Sequence, residues 1–441
     1  MTPTKNKHLK QEDIKMTRRK IGNAISLFLE KDLFTIVLTV TVLFTAIPAF
    51  AQNRQLGLNV LLNTKVTDDI ITELNKLGTV LDTLDQINAV HMRARENDIP
   101  EINALPLVEA VSPDAERYGR PVDTVGVEDF ADGLSTWNLD ATNVTDFGFP
   151  NRQVPYDGAG VYVAVLDSGL LDSWRQYFPQ ERIATEYAIC FGGGGMERGH
   201  VSTQPNKWEH DQDSHGTHVT STILGYSLFG TPINGVAPKA TIIPVKVLNQ
   251  TGRCWSSVAA HGILYVADLK AGPLSGYPVV INMSLGGPQM DPVEKAAIDY
   301  AIAQGVIIVA SAGNRGDAGM GYPGAYGPVI SVAASGWVSE WTVPGVWWYA
   351  LDVSDPTNPD HFYIADFSSR ELTGQDLDVA SPGSWVVGPY QLQSGWTSYY
   401  YLGGTSMASP HVAGIVALML QKNPSLTAAE VELYLESSAI F

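Results

Sequence analysis

The sequence predicts an α/β protein whose mostly parallel sheet is covered by helices on both faces, preceded by a small α+β unit. Three observations carry that prediction. Short apolar runs rich in β-branched residues (161–166, 241–247, 279–283, 306–310 and 329–333) alternate with amphipathic stretches of helical period (215–225, 256–268, 291–304 and 406–421). Polar residues and glycines gather just after these strands and at the helix starts, where an open α/β sheet places its site. A different order, strand-helix-strand-strand-helix-strand, occupies residues 52–117.

Composition bounds the reading. The 441 residues exceed one ordinary domain, and with 45% hydrophobic and 17% charged residues the bulk is globular. A net charge of -18 argues against a nucleic-acid partner.

Taken in order, residues 1–32 are polar and basic, and Leu33 to Phe50 is apolar up to the small-residue end Ala49-Phe50-Ala51. That layout predicts a secretory signal over 1–51 cut after Ala51, with a retained membrane anchor as its rival. In the following unit, Leu58 to Leu62 reads as a strand. Asp68 to Leu77 reads as a helix with Ile70, Ile71, Leu74 and Leu77 on one face, stopped by Gly78. A hairpin from Val80 to Met92, a short helix from Ile99 to Leu105 and a strand from Leu107 to Val111 complete it. Pro113 to Gly133 is rich in Pro, Gly, Asp and Glu and predicts an exposed linker, assigned here to 118–133. Two stretches, 189–213 and 337–362, read as inserted loops. The second holds Trp341, Trp347, Trp348 and Tyr349, read as a cover for its own apolar patch ahead of a substrate-binding role.

The stretch Gly403-Gly404-Thr405-Ser406-Met407-Ala408-Ser409-Pro410-His411-Val412-Ala413-Gly414 places Ser406 at the start of a buried helix, with Pro410 expected in its first turn. Unpaired N–H groups and the positive end of the helix dipole there favour an oxyanion. A serine hydroxyl needs a base, and the base needs an orienting carboxylate. Candidates stand upstream: Asp167-Ser168-Gly169 ends a strand, and His215-Gly216-Thr217-His218 begins a helix. Two further strands run into glycine loops, Asn282-Met283-Ser284-Leu285-Gly286-Gly287 and Ala310-Ser311-Ala312-Gly313-Asn314.

These motifs, in the order Asp, His, Ser, resemble the subtilisin-like serine protease family over about two-thirds of the chain. The resemblance implies a subtilisin-like peptidase domain over 134–441, with Ser406 as nucleophile, His215 as general base and Asp167 as its orienting carboxylate. Asn314 and the Ser406 N–H would be the oxyanion donors. His218 and His411 are read as packing residues. Ser284, Leu285 and Gly286 with Gly252, Arg253 and Cys254 resemble the two edges that clamp an extended substrate. Gly287, Ala312, Gly313 and Gly321 resemble the walls and floor of the first specificity pocket, which implies a large apolar side chain there. Arg315 at the rim is either a contact for an acidic side chain or an idle surface arginine.

The same resemblance makes 52–117 an inhibitory propeptide, Trp137-Asn138-Leu139 the docked start of the mature enzyme, and the linker the place of maturation. Partners are then protein or peptide substrates and the chain's own propeptide, with no nucleic acid, and with a membrane only through an uncleaved signal. The expected location is extracellular. Cys190 and Cys254, the only cysteines, permit one disulfide or two free thiols. No cofactor is required. Calcium is possible, but the loop from Gly225 to Gly235 lacks the Asn-rich pattern of the family's strong site and no metal ligands are assigned. The family adds a strand and helix after the helix at 428–437, so the chain ending at Phe441 is expected to be truncated. The alternative to an enzyme is an inactive binding or scaffold module, or an incomplete fragment.

Overall fold

Valine and isoleucine dominate the central strands because these strands are buried on both faces, as a parallel sheet packed between helices requires. The computed structural model describes residues 54–119, 123–127, 136–146, 152–193, 200–340, 352–393 and 396–440. The expected signal segment, most of the expected linker and the aromatic residues 341–349 lie outside the described residues. Residues 56–94 and 98–441 form one unit by their contacts, and the description below concerns that unit.

The first sheet is built from β1 (Gln55–Leu62), β2 (Gly78–Leu84), β3 (Ala89–Arg95) and β4 (Val108–Pro113), in the order β2-β3-β1-β4. Helices α1 (Asp68–Leu74) and α2 (Ile99–Asn103) complete the predicted element order. Thr67 caps α1 by accepting from the Ile70 N–H, and Leu58, Val60, Leu74, Met92 and Ile102 form a separate small core.

Two short strands follow where sequence alone suggests an exposed linker: β5 (Glu116–Tyr118) and β6 (Asp123–Val127). Then come α3 (Trp137–Ala141), β7 (Tyr162–Asp167), β8 (Ile189–Gly193), β9 (Val201–Thr203), α4 (His215–Leu224) and the hairpin β10 (Gly225–Leu228) and β11 (Thr231–Asn234). The central part continues through β12 (Thr241–Lys246), β13 (Arg253–Trp255), α5 (Ser256–Ala271), β14 (Val279–Met283), α6 (Pro292–Ala303) and β15 (Val306–Ser311). The last part comprises β16 (Ile330–Trp337), β17 (Phe362–Ile364), β18 (Val379–Pro382), β19 (Val386–Gln393), β20 (Trp396–Gly403), α7 (Thr405–Lys422) and α8 (Ala428–Ser438).

The main sheet runs β17-β16-β15-β14-β7-β12-β8-β9, with β18 beside β16. Its inner pairs are parallel, and β17 and β9 close the two edges antiparallel. Side-chain alternation splits each strand between two cores. Val163, Val165, Ile242, Val280 and Val309 pack with Val219 and Ile223 of α4 and Met407 and Val412 of α7. Ala164, Leu166, Ile243, Ile281 and Ile308 pack with Val258, Ile263 and Val266 of α5 and Val293, Ala297 and Ile298 of α6. On one side of β7 the strands follow chain order outward (β14, β15, β16), whereas on the other β12 returns between β7 and β8 before the chain crosses over; the chain changes sides at β7, and the crevice beyond its C-terminal end is where such a sheet holds a ligand.

The insertion at 189–213 contains a β8–β9 hairpin that extends the sheet, and Trp208 packs in the core beside Trp174. At the other insertion, Trp337 and Val353 form a small cluster with Trp137. Among the described residues no helix is long and apolar enough to cross a membrane.

Candidate active site

Asp167 is the last residue of β7, at the switch point, and His215 is the first residue of α4. His215 Nδ1 lies 2.9 and 3.0 Å from the two carboxylate oxygens of Asp167, and both side chains are fully buried. The two motifs interlock through backbone. Ser168 Oγ accepts from the Gly216 N–H at 2.8 Å, so the Asp-Ser-Gly turn caps the helix carrying the histidine. Gly169 has φ +91°, and a Cβ there would strike the Trp208 carbonyl, so glycine is required on steric grounds as well. Burial by itself would lower the His215 pKa, but the charge and hydrogen bond of Asp167, helped by Asp213 and Asp211, outweigh it and raise the pKa above 6.5. Nε2, on the far side of the ring, is buried and has no hydrogen-bond partner among the described residues.

Ser406 is the second residue of α7, with its Oγ donating to the Ser284 carbonyl at 3.1 Å. Pro410, expected in the first turn, is instead the sixth residue of this helix. It lacks the N–H that would bond the carbonyl four residues back, which is that of Ser406. The free carbonyl is taken by Ser284 Oγ at 2.8 Å. Ser284 in turn accepts from Asn282 Nδ2 (3.1 Å), and Asn282 Oδ1 accepts from Ser409 Oγ (2.7 Å). This buried network ties the end of β14 to the serine-bearing helix, so Ser284, predicted for the substrate edge, also positions that helix.

Asn314 follows β15. Its Oδ1 accepts from the Thr405 N–H (2.9 Å) and Oγ1 (3.0 Å). A backbone N–H can only donate, which fixes the amide orientation and leaves Nδ2 on the side of the serine. A Cβ built on Gly404 would be 3.4 Å from that nitrogen. A cavity of about 270 Å³ opens here, lined by the predicted Gly286, Gly287, Gly313, Asn314, Arg315, Gly321 and Ser406, and also by Pro288, Ser311 and Thr405. Ala312, expected in its wall, is buried instead in a small cluster with Met320 and Ala325. Leu285 is likewise a core residue, 1% exposed. The Arg315 guanidinium is engaged by the carbonyls of Gly319 and Met320.

The predicted edge at Gly252, Arg253 and Cys254 is occupied. β5 pairs antiparallel with β13, Tyr118 opposite Arg253, Arg117 opposite Cys254 and Glu116 opposite Trp255. The ladder continues with the Gly119 N–H donating to the Gly252 carbonyl at 3.0 Å. A Cβ on Gly119 would stand 2.6 Å from Leu248 Cδ1, 2.8 Å from the Ser284 oxygen and 3.5 Å from His215 Cε1, so the chain here lies against the histidine and admits no side chain. On the other side β6 pairs with β20, Asp123 opposite Gly403, three residues before Ser406. These described parts of the expected linker are therefore strands, held because an extended backbone beside an open sheet edge satisfies its hydrogen bonds.

Several contributors were not anticipated. Asp211 accepts from the N–H groups of Ser214 (2.7 Å) and Asp213 (3.0 Å) and so braces the turn into α4, with Ser214 at φ +69°. Burial pushes its carboxyl up to about 7. Arg117 and Glu294 form a fully buried ion pair. Only an aspartate four residues before a helix hinted at the first, and nothing in the local sequence signals the second. His218 and His411 pack as expected. His218 Nε2 meets the Val386 carbonyl (3.1 Å), and His411 spans the Met407 carbonyl and Asn138 Nδ2 (2.8 Å each), tying α3 to α7. Burial depresses them to about 3 and about 4, keeping both neutral.

The possible disulfide is corrected: Cys190 and Cys254 are both buried free thiols. Cys190 stands opposite Lys246 in the main sheet, and Cys254 stands opposite Arg117 at the cleft edge. An even cysteine count does not supply the approach a bridge needs. Two groups of carboxylates, Asp140 with Asp146 and Asp352, and Asp376 with Asp378 and Glu432, bring ligand atoms close enough for a cation. Surface acids also cluster without one.

Comparison with known proteins identifies the family. The model of the subtilase family (Peptidase_S8) matches residues 158–440. Subtilisin E of Bacillus subtilis (strain 168) is 32% identical over 379 residues, 85% of this chain and 80% of that protein. Subtilisin DY of Bacillus licheniformis is 35% identical over 288 residues, 64% of this chain and 85% of that protein. Among solved structures, fervidolysin from Fervidobacterium pennivorans, described as a keratinolytic enzyme related to subtilisin, has a TM-score of 0.63 at 25% identity, covering 88% of this chain and 57% of that one.

Proposed function

From the premise that this chain belongs to the subtilase family of serine endopeptidases, we propose that it is an exported, self-processing proenzyme using Asp167, His215 and Ser406. The observation that supports this most is the placing of residues 116–119, extended along the Gly252–Trp255 edge with Gly119 against His215, as a substrate backbone would lie.

In this reading the Ser406 hydroxyl leaves the Ser284 carbonyl and gives its proton to His215 Nε2 while Oγ bonds the substrate carbonyl carbon. The oxygen that gains charge is met by Asn314 Nδ2 and the Ser406 N–H. His215 then protonates the departing amine as the C–N bond breaks. Water repeats the sequence to release the acid. Asp167 holds the proton-bearing Nδ1 toward itself, leaving Nε2 as the base. No metal or cofactor takes part. The pocket beside Gly287, Gly313 and Gly321 accepts the side chain of the residue whose carbonyl is attacked, with a preference for large apolar groups.

Residues 52–117 act as the inhibitory propeptide, and maturation cuts the chain between the two flanks held on either side of Ser406, 116–119 and 123–127. Intact mass over time, for wild type beside Ser406→Ala, tests the reading. Loss of a propeptide-sized segment in wild type alone is expected, with a serine-directed probe labelling the product. A wild type that is folded, uncut and unlabelled overturns it.

A further inference from the structure

Arg117 is an arginine with no exposed side-chain area, and its partner Glu294 has none either. Arg117 Nε donates to both carboxylate oxygens of Glu294, at 3.1 and 2.9 Å, and Nη2 also donates to Oε2. Such desolvation is costly unless the pair is matched, and a guanidinium fork on a carboxylate is the matched geometry. The two groups come from different parts of the chain: Arg117 lies on β5, the strand occupying the cleft edge, whereas Glu294 is fixed in α6 of the peptidase domain. The space between them is built for this side chain. A Cβ on Gly287 would lie 2.7 Å from Arg117 Nη1 and 3.3 Å from its Cδ, so glycine makes room for the guanidinium, and Cys254 backs the arginine across the ladder.

Departure of the propeptide would strip Glu294 of this partner. Among the described residues no other side chain bonds its carboxylate, and of the two acids whose charges also act on it, Asp291 and Asp114, Asp114 leaves with the propeptide and Asp291 stays. The neighbouring Lys295 is turned outward to Asp299 at 2.7 Å. Left beside Asp291 at the cleft edge, this carboxylate favours a cationic side chain in whatever next covers it.

We infer that Glu294 is a specificity-determining residue, and that its pocket selects an arginine in protein substrates two positions before the residue lying against His215. The inference rests on the protease reading above and adds a substrate class to it. Lysine, a point charge without the planar fork, fits less well, and an uncharged side chain leaves the carboxylate unpaired. The propeptide is then held by the same recognition as the substrate, with Arg117 as its anchor.

The test uses the matured enzyme with three internally quenched peptides carrying the sequence of residues 112–126, with Arg, Lys or Leu at the position of Arg117, and with unfolded casein as a general substrate. The expected kcat/KM for the Arg peptide exceeds that for Leu by about 100-fold, with Lys between them. Glu294→Leu should abolish or invert the order, and Glu294→Gln should shrink it. If Glu294→Leu fails to mature, Glu294→Gln carries the comparison. Equal rates on the three peptides with casein still cleaved, or an order unchanged by the Glu294 substitutions, overturn this inference and leave the protease reading standing. Failure to cleave casein or react with a serine-directed probe removes both.

Discussion

Replacing Ser284 by Ala removes one hydroxyl from a network that exists because Pro410 sits inside α7. The lost Oγ donates to the residue-406 carbonyl at 2.8 Å and accepts from Asn282 Nδ2 at 3.1 Å, and all of these residues are buried. Two polar atoms are then left without partners, each costing about 1–3 kcal/mol, so a loss of roughly 2–4 kcal/mol is expected after some relaxation. The structure also says how to recover part of it. In Pro410→Ala the restored N–H can reach the carbonyl four residues back, so the Ser284→Ala cost in that background should fall by about 1–2 kcal/mol. The assay is urea unfolding of the full chain carrying Ser406→Ala to prevent self-digestion, comparing midpoints at constant slope for the four members of the cycle. An equal cost of Ser284→Ala with and without Pro410 refutes the account of why the hydroxyl is there.

Other outcomes follow from the site. Asn314→Leu should lower kcat by about 10²–10³-fold, the loss known for this donor in subtilisin, with KM little changed, measured on a peptide anilide. Because His215 must be neutral to act and Asp167 raises its pKa, kcat/KM should increase with pH along a limb centred above 6.5. Asp213→Asn should move that limb downward, because Asp213 is one of the charges favouring the protonated ring. Gly119→Val, with no room between Leu248 and the Ser284 carbonyl, should displace the chain from His215 and slow maturation by about 100-fold in an intact-mass time course. Alkylation should add no mass to the native protein and two adducts after unfolding without reductant, since both thiols are free and buried.

The part of this molecule legible in the sequence is the part set by local rules. Strand 279–283 and helices such as 256–271 follow from apolar runs and their period. Asp167, His215, Asn314 and Ser406 stand out because each lies where an element begins or ends, and glycine punctuation marks those places. Pro410 exposed a limit of the local rules: a missing N–H inside a helix is tolerated when a side chain from another element, Ser284, satisfies the orphaned carbonyl. The linker exposed another. Its composition lacks apolar periodicity, yet residues 116–119 and 123–127 are ordered by backbone bonds to β13 and β20, a partner that no window of sequence contains. The same holds for Arg117 and Glu294, 177 residues apart, which are unremarkable charges until burial makes each depend on the other. The sequence by itself determined the catalytic candidates and the layers that carry them, because those depend on near neighbours along the chain. Only the tertiary structure decided what fills the cleft, which carbonyl Ser284 supports and that the two cysteines are unbridged, because each of these depends on which distant surfaces meet.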